Sequence, residues 1–299
     1  MSLVINNNIV AMTAARNLGN AYSALSSSTN KLSSGLRITT AADDAAGLAV
    51  RELMRSDISA LNQGVRNAND AISMIQTADG ALQVIDEKLI RMKELAEQAA
   101  TGTYSSAQRM IIDSEYQAMA SEITRIANAT DFNGIYLLNG NLSGSASSFD
   151  GSGLNSTGPM KIHFGSGNDS AEDYYYVQIN NSTASALGVG NSAAAGSAGY
   201  TISTQSAAQG ALEAINSAIV SKDNVRANLG ALQNRLSNTI SNLEIQAENL
   251  QAAESRISDV DVATEMTEYS KQQIISQSAT SMLAQANSLP QMALSLLGG

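Results

Sequence analysis

From Met54 onward, apolar residues recur at Met54, Ile58, Leu61, Val65, Ala68, Ile72 and Ile75. These alternating steps of four and three gather them on one seam of a helix. Ala78 follows after a three-residue step, a stammer beside Asp79-Gly80, and the pattern resumes through Leu82, Ile85, Leu89, Met92, Ala96 and Ala99. Thr39-Thr40 and Asp43-Asp44 supply capping oxygens and first-turn negative charge ahead of the run, while Gly102 and Ser105-Ser106 mark its far end. The spacing predicts one helix from about Asp44 to Ala99, roughly 80 Å long. A compact globule of this chain length is only about 50 Å across, so the expected molecule is a rod.

A shorter helix is predicted from about Ser106 to Ala129, on Ile111, Ile112, Met119, Ile123 and Ile126, stopping near Asp131-Phe132-Asn133-Gly134. Its short connection to the first makes the two antiparallel neighbours. From Asn139 to Ser206 the chain turns to Gly, Ser, Asn and Ala, with turn signals at Asn139-Gly140, Gly151-Ser152-Gly153 and Gly165-Ser166-Gly167. Within it, Lys161-Ile162-His163-Phe164 and Tyr174 to Ile179 have strand composition and predict a small β-hairpin. Helix returns near Gln205, with a seam at Val225, Leu229, Leu232, Leu236, Ile240, Leu243, Ala247, Leu250, Ala253, Ile257 and Val260. The fold class is mainly α: a long antiparallel coiled-coil rod made by the N- and C-terminal segments, with a small β-hairpin region in the middle.

Composition narrows the function. The 299 residues contain no Trp, three Phe, two Pro and no Cys. Disulfides, thiolate nucleophiles and cysteine zinc sites are therefore excluded. A net charge of −10 repels phosphate backbones and anionic lipid, so neither nucleic acid nor membrane is an expected partner. No apolar run approaches the roughly 20 residues that span a bilayer, and the N-terminus has no cleaved-signal pattern. A single histidine, His163, excludes a paired-His metal motif, and it reads as a surface residue of a strand. No phosphate-binding loop or nucleophile elbow stands in context, so no catalytic residue, metal or cofactor is expected. Asp43-Asp44 read as a helix start and Glu172-Asp173 as a hairpin-loop charge. Asn141, Asn155 and Asn181 open N-glycosylation patterns of the kind that Ser/Thr-rich loops produce by chance.

The ends carry the strongest signal. Arg16 is the only charged residue before Lys31, and no Asp, Glu, Lys or Arg lies between Gln272 and Gly299. Their apolar residues fall at helical spacing: Leu18, Tyr22, Leu25, Leu32 and Leu36 on one, and Ile274, Ile275, Met282, Leu283, Leu289 and Leu294 on the other. The polar faces are Ser, Thr, Asn and Gln. Such helices are too apolar to stand alone in water and too rich in amides and hydroxyls for a bilayer core. They suit an interface in which the two ends pair and then pack on the ends of other copies, the non-closing self-contact that makes a filament.

Residues 32–38 (Leu-Ser-Ser-Gly-Leu-Arg-Ile) and 42–48 (Ala-Asp-Asp-Ala-Ala-Gly-Leu) resemble the flagellin family, as do 229–236 (Leu-Gly-Ala-Leu-Gln-Asn-Arg-Leu) and 284–291 (Ala-Gln-Ala-Asn-Ser-Leu-Pro-Gln). The resemblance covers about residues 1 to 140 and 205 to 299. It implies an inner domain from 1–42 and 256–299 in the filament core, a helical domain from 43–140 and 205–255, and a variable hairpin region at 141–204. The implied protein is a secreted, extracellular structural subunit that polymerises into the motility filament. Its implied partners are its own copies, an export chaperone on the C-terminal helices, and hook-associated and cap proteins. A flagellin-like hook-filament junction protein is the alternative. The resemblance also implies recognition by a Toll-like receptor through Arg91, Leu95 and Glu115. Spacing alone supports equally a second reading, in which Leu95 widens the buried stripe and Arg91 pairs with Glu87 one turn away.

Overall fold

The computed structural model describes residues 8–143, 158–169, 172–190 and 199–297, with side chains as far as residue 288. Among these, helices α1 (Ile9–Ser34), α2 (Ala45–Ala100) and α3 (Ser106–Ala129) are followed by β1 (Asp131–Phe132), β2 (Ile135–Tyr136), β3 (Met160–His163) and β4 (Tyr174–Val177). A short α4 (Ala184–Leu187), α5 (Gln205–Ser258) and α6 (Val262–Leu297) complete the chain. The protein is thus mainly helical, as its periodicity predicts, with two small antiparallel hairpins where one was expected. Two compact units are present: Met1–Ile58 with Glu248–Gly299, and Ser59–Ala247.

In the unit Ser59–Ala247, α2 continues unbroken past Asp79-Gly80. The side chains at Leu82, Ile85, Leu89, Met92, Ala96 and Ala99 are buried as the seam requires. Ala71 and Met74 are buried as well, widening the apolar stripe of α2; together with Phe132, Ile135, Met160 and Ile162 they line a shared cavity. Gly64 permits this approach, since a Cβ there would meet the Phe164 carbonyl oxygen. The stripe of α3 begins one residue later than predicted: Ile112, Tyr116, Ala120, Ile123 and Ala127 are buried, whereas Ile111 is 71% exposed. A capping box of Ser105 and Gln108 starts that helix.

The predicted hairpin forms in the register Met160↔Val177 to His163↔Tyr174. β3 lies one residue earlier than composition indicated and β4 ends two residues sooner, at Val177, while Phe164 and Ile179 are buried beyond the strand ends. The Asp131 to Gly134 stop signal is itself a hairpin, β1 with β2, turning through Asn133 and Gly134 at φ 51 and 81°. Two consecutive positive φ values are the requirement of the tight turn that Asn-Gly satisfies. His163 is half-buried in β3, its ring stacked on Tyr174. Asp173 accepts from the Gly167 and Asp169 amides, which bears out its reading as a loop residue. Asn181 accepts the Thr183 amide and Thr183 caps α4, so the pattern at Asn181 is structural; Asn155 lies outside the described residues.

Helices α2 and α5 are antiparallel here: Asp79 meets Arg226, and Asp86 meets Lys222. Lys222 occupies a seam position of α5, continuing Ala211, Ile215 and Ala218 toward Val225 and Leu229. Its side chain is 2% exposed and its ammonium lies 2.6 Å from Asp86 Oδ1 and 2.7 Å from Asp223 Oδ1. A single ionic residue in an apolar seam penalises every other register, since slipping strands the charge.

In the unit formed by Met1–Ile58 and Glu248–Gly299, α1 ends at Gly35, whose φ of 72° closes the helix, so Leu36 leaves the predicted helical face. It pairs instead with Asp259 in an isolated bridge, where the Arg37 amide donates to Ser258 O at 2.6 Å and the Val260 amide to Gly35 O at 3.0 Å. The Arg37 guanidinium adds two bonds to Ile257 O. Asp44 caps α2 by accepting the Gly47 amide. Asp43 instead holds the preceding turn: the Thr40 amide, the Thr39 hydroxyl and the Thr39 amide lower its pKa from 3.8 to about 2.

Lys222→Met should remove roughly 3 kcal/mol of stability by leaving Asp86 without its partner, and the double variant Lys222→Met/Asp86→Leu should recover most of it. Urea unfolding of the three proteins checks this, and equal midpoints for the single variant and the parent would refute it.

Candidate functional site

Helices α1 and α6 pack on one another through small side chains. Ala21 and Ser28 from α1, and Ser276, Ala279 and Ala286 from α6, are all less than a tenth exposed. The Asn8 side-chain amide donates to Ala286 O at 2.7 Å and accepts the Ala11 amide as the α1 cap. Small residues bring the two backbones close, and that displaces the larger apolar side chains outward. Of the residues the sequence assigns to assembly, Leu18, Leu25, Leu32 and Leu283 are half-buried along the edges of this contact. Tyr22, Ile274, Ile275 and Met282 are exposed, Ile274 by 63% and Met282 by 62%. The side chains of Leu289 and Leu294 lie outside those described.

The sequence reading missed Ile9, Val10 and Met12 on α1, and Val262 and Met266 on α6, which are exposed too. The i, i+3 spacing of Ile9 and Met12 was the available signal. Ile9, Val10, Ala14, Ile275 and Met282 line an open groove of about 510 Å³. Among the described residues no charged side chain lines it. An apolar surface of this extent flanked by neutral hydroxyls and amides has the composition of a protein interface core.

A second predicted cluster lies in the other unit. Arg91 Nε and Nη2 donate to Glu115 Oε1 at 3.0 and 2.8 Å, and Nη1 donates to Glu94 Oε2 at 2.8 Å. The Glu115 bond first, and the Glu94 bond second, raise the Arg91 pKa above its ordinary value. The pairing with Glu87 allowed by helix spacing is not made, because α3 brings Glu115 within reach from across the interhelical boundary. Arg91 and Glu115 remain half exposed, at 48 and 46% of their side chains, whereas Leu95 is buried at 2%. Leu95 therefore supports this face from beneath. Among the described residues no cluster of three or more His, Cys, Asp or Glu is placed to hold a metal ion, and no helix is long and apolar enough to cross a membrane.

Comparison with known proteins decides the family. The family described as bacterial flagellin N-terminal helical region matches residues 5–143, and that described as bacterial flagellin C-terminal helical region matches residues 212–297. The flagellar filament 33 kDa core protein of Treponema phagedenis is 44% identical over 99% of this chain and 100% of its own length. The chain belongs to the flagellin family. Flagellin FlaB2 of Treponema pallidum is 42% identical over the same shares of both chains. A solved structure of a putative flagellar hook-associated protein from Vibrio parahaemolyticus covers 73% of this chain and 100% of its own, with a TM-score of 0.54 and 15% identity. That likeness concerns the fold alone. As a flagellin, the protein is a structural subunit of the extracellular flagellar filament, built by flagellin self-assembly. The filament subunit thus stands over the junction-protein alternative.

Proposed function

We propose that this flagellin polymerises through the exposed apolar side chains of α1 and α6, with residues 1–42 and 256–299 forming the inner domain of the filament. Residues 43–140 and 205–255 then form the surrounding helical domain, and 141–204 the variable region. The observation that carries this reading is the exposure of Ile9, Met12, Tyr22, Ile274, Ile275 and Met282 on helical segments with Arg16 as the sole charge from Ile9 to Asn30 and none after Lys271. Burying one such side chain contributes about 1.5–3 kcal/mol, so several per subunit drive association strongly. The same surface on a free monomer suits the export chaperone that family membership suggests, and the completed filament suits hook-associated and cap proteins at its ends. The paired variant Ile274→Ser/Met282→Ser should change the unfolding free energy of the monomer by less than about 0.5 kcal/mol. Seeded growth followed by light scattering should nonetheless show a critical concentration at least tenfold higher, and an unaltered value would remove these residues from the contact.

The second reading is recognition by a Toll-like receptor at Arg91, Leu95 and Glu115. What favours it is the half-exposed pair of Arg91 and Glu115 from two helices, held by hydrogen bonds and offering both charges at one place. Leu95 contributes by keeping the two helices packed beneath them. In a cell reporter assay, Arg91→Ala should lower receptor signalling with the melting temperature nearly unchanged. Leu95→Asp should abolish signalling and also destabilise the protein, since it buries a carboxylate. Full signalling by both variants would end the assignment.

A further inference from the structure

A polar cleft of about 380 Å³ lies between β4 and α5, lined by Tyr176, Gln178, Asn180, Asn228, Leu232 and Arg235. It contains one cation and no carboxylate. The Arg235 guanidinium stands 3.5 Å from the centroid of the Tyr175 ring. That ring is held from two other sides: Phe164 packs on it at 4.6 Å, and its hydroxyl lies 3.4 Å from the Thr239 hydroxyl. Among the described residues Arg235 makes no ion pair and its side chain donates no hydrogen bond. Arg51, Arg91, Arg125 and Arg226, in contrast, each bind a carboxylate. Stacking uses the face of a guanidinium and leaves its N–H edge available for a bidentate acceptor. Asn228 and Asn180 are likewise exposed, with no side-chain partner among the described residues.

We propose that this cleft receives a carboxylate of a second copy of the chain in the filament, with Arg235 as its bidentate partner. The inference rests on the filament reading and names a contact of the central unit, separate from the α1/α6 surface. Charge complementarity selects the occupant. Each copy carries a net charge of −10. The unit Ser59–Ala247 exposes Asp70, Glu87, Glu97, Glu213 and Glu244 without a cationic partner among the described residues. Stacking many such copies accumulates repulsion unless acids of one copy meet cations of the next. A guanidinium held in place before contact loses little side-chain entropy on pairing, and Asn228 and Asn180 can supply donors to the same oxygens.

Seeded growth of the full-length protein at low and high salt tests the proposal, using Arg235→Gln, Arg235→Lys and these five acids together with the equally exposed Asp131 and Glu172, each changed singly to its amide. Arg235→Gln keeps a flat amide over Tyr175 and removes the charge. It should raise the critical concentration at least about fivefold at low salt and flatten its salt dependence, with unchanged helical circular dichroism. Arg235→Lys should fall between. One of the acid variants should show the same rise and add nothing in the Arg235→Gln background. The proposal is overturned if Arg235→Gln assembles like the parent, or if no acid variant couples to it. It is equally overturned if Arg235→Gln loses only the binding of polygalacturonate, which would make the cleft a site for acidic polysaccharide. Failure of the unmodified protein to grow on seeds would instead count against the filament reading itself.

Discussion

The close contact of α1 with α6 through alanine and serine governs the rest of the terminal structure. Because Ala21, Ser28, Ser276, Ala279 and Ala286 fill the seam, the two helices satisfy each other with little buried area. Their larger apolar side chains are left outside, where water disfavours them. A pair built on a leucine seam would consume its own hydrophobic surface and have none left for other copies. The nearly uncharged polar faces complete the design: they hydrogen-bond at a crowded interface without the cost of desolvating or opposing charges.

The unit Ser59–Ala247 follows the opposite rule. Its large seam residues, Leu82, Ile85, Leu89, Met92 and Leu95 on α2 and Tyr116 and Ile123 on α3, are inside. Ionic groups set its register and decorate its surface: Lys222 with Asp86 within the seam, Arg226 with Asp79 at its edge, and Arg91 with Glu115 on the outside. Arg235 differs from these cations: it stacks on Tyr175 and makes no ion pair among the described residues. Tyr116 shows how tightly this core is held: burial raises its pKa to about 12, and its hydroxyl donates to the Gly199 carbonyl.

Much of the helical framework was legible because seam spacing and caps are local. The four-three spacing marks α2 through its stammer, and the charge-free stretch after Gln272 marks the helix that leaves Ile274, Ile275 and Met282 exposed. What escaped was set by partners distant in sequence. Lys222 breaks the apolar pattern, and only Asp86, 136 residues away, explains it. Glu115 displaced Glu87 as the partner of Arg91 because helix spacing sees one helix at a time. The β1–β2 hairpin and α4 are too short for periodicity to register. At the ends, apolar spacing singles out large residues and passes over Ala21, Ser28, Ser276, Ala279 and Ala286, which lie between the two helices.

Methionine oxidation tests the central claim most directly. Met12, Met266 and Met282 are 62, 46 and 62% exposed on α1 and α6 of the single chain. Dilute peroxide, read by peptide mass spectrometry, reports access to each sulfur. If copies of the chain cover these helices, Met12 and Met282 oxidise quickly in monomer and at least tenfold more slowly in assembled filament. Equal rates in the two states would contradict the account, because the surface that it assigns to self-contact would then still face water.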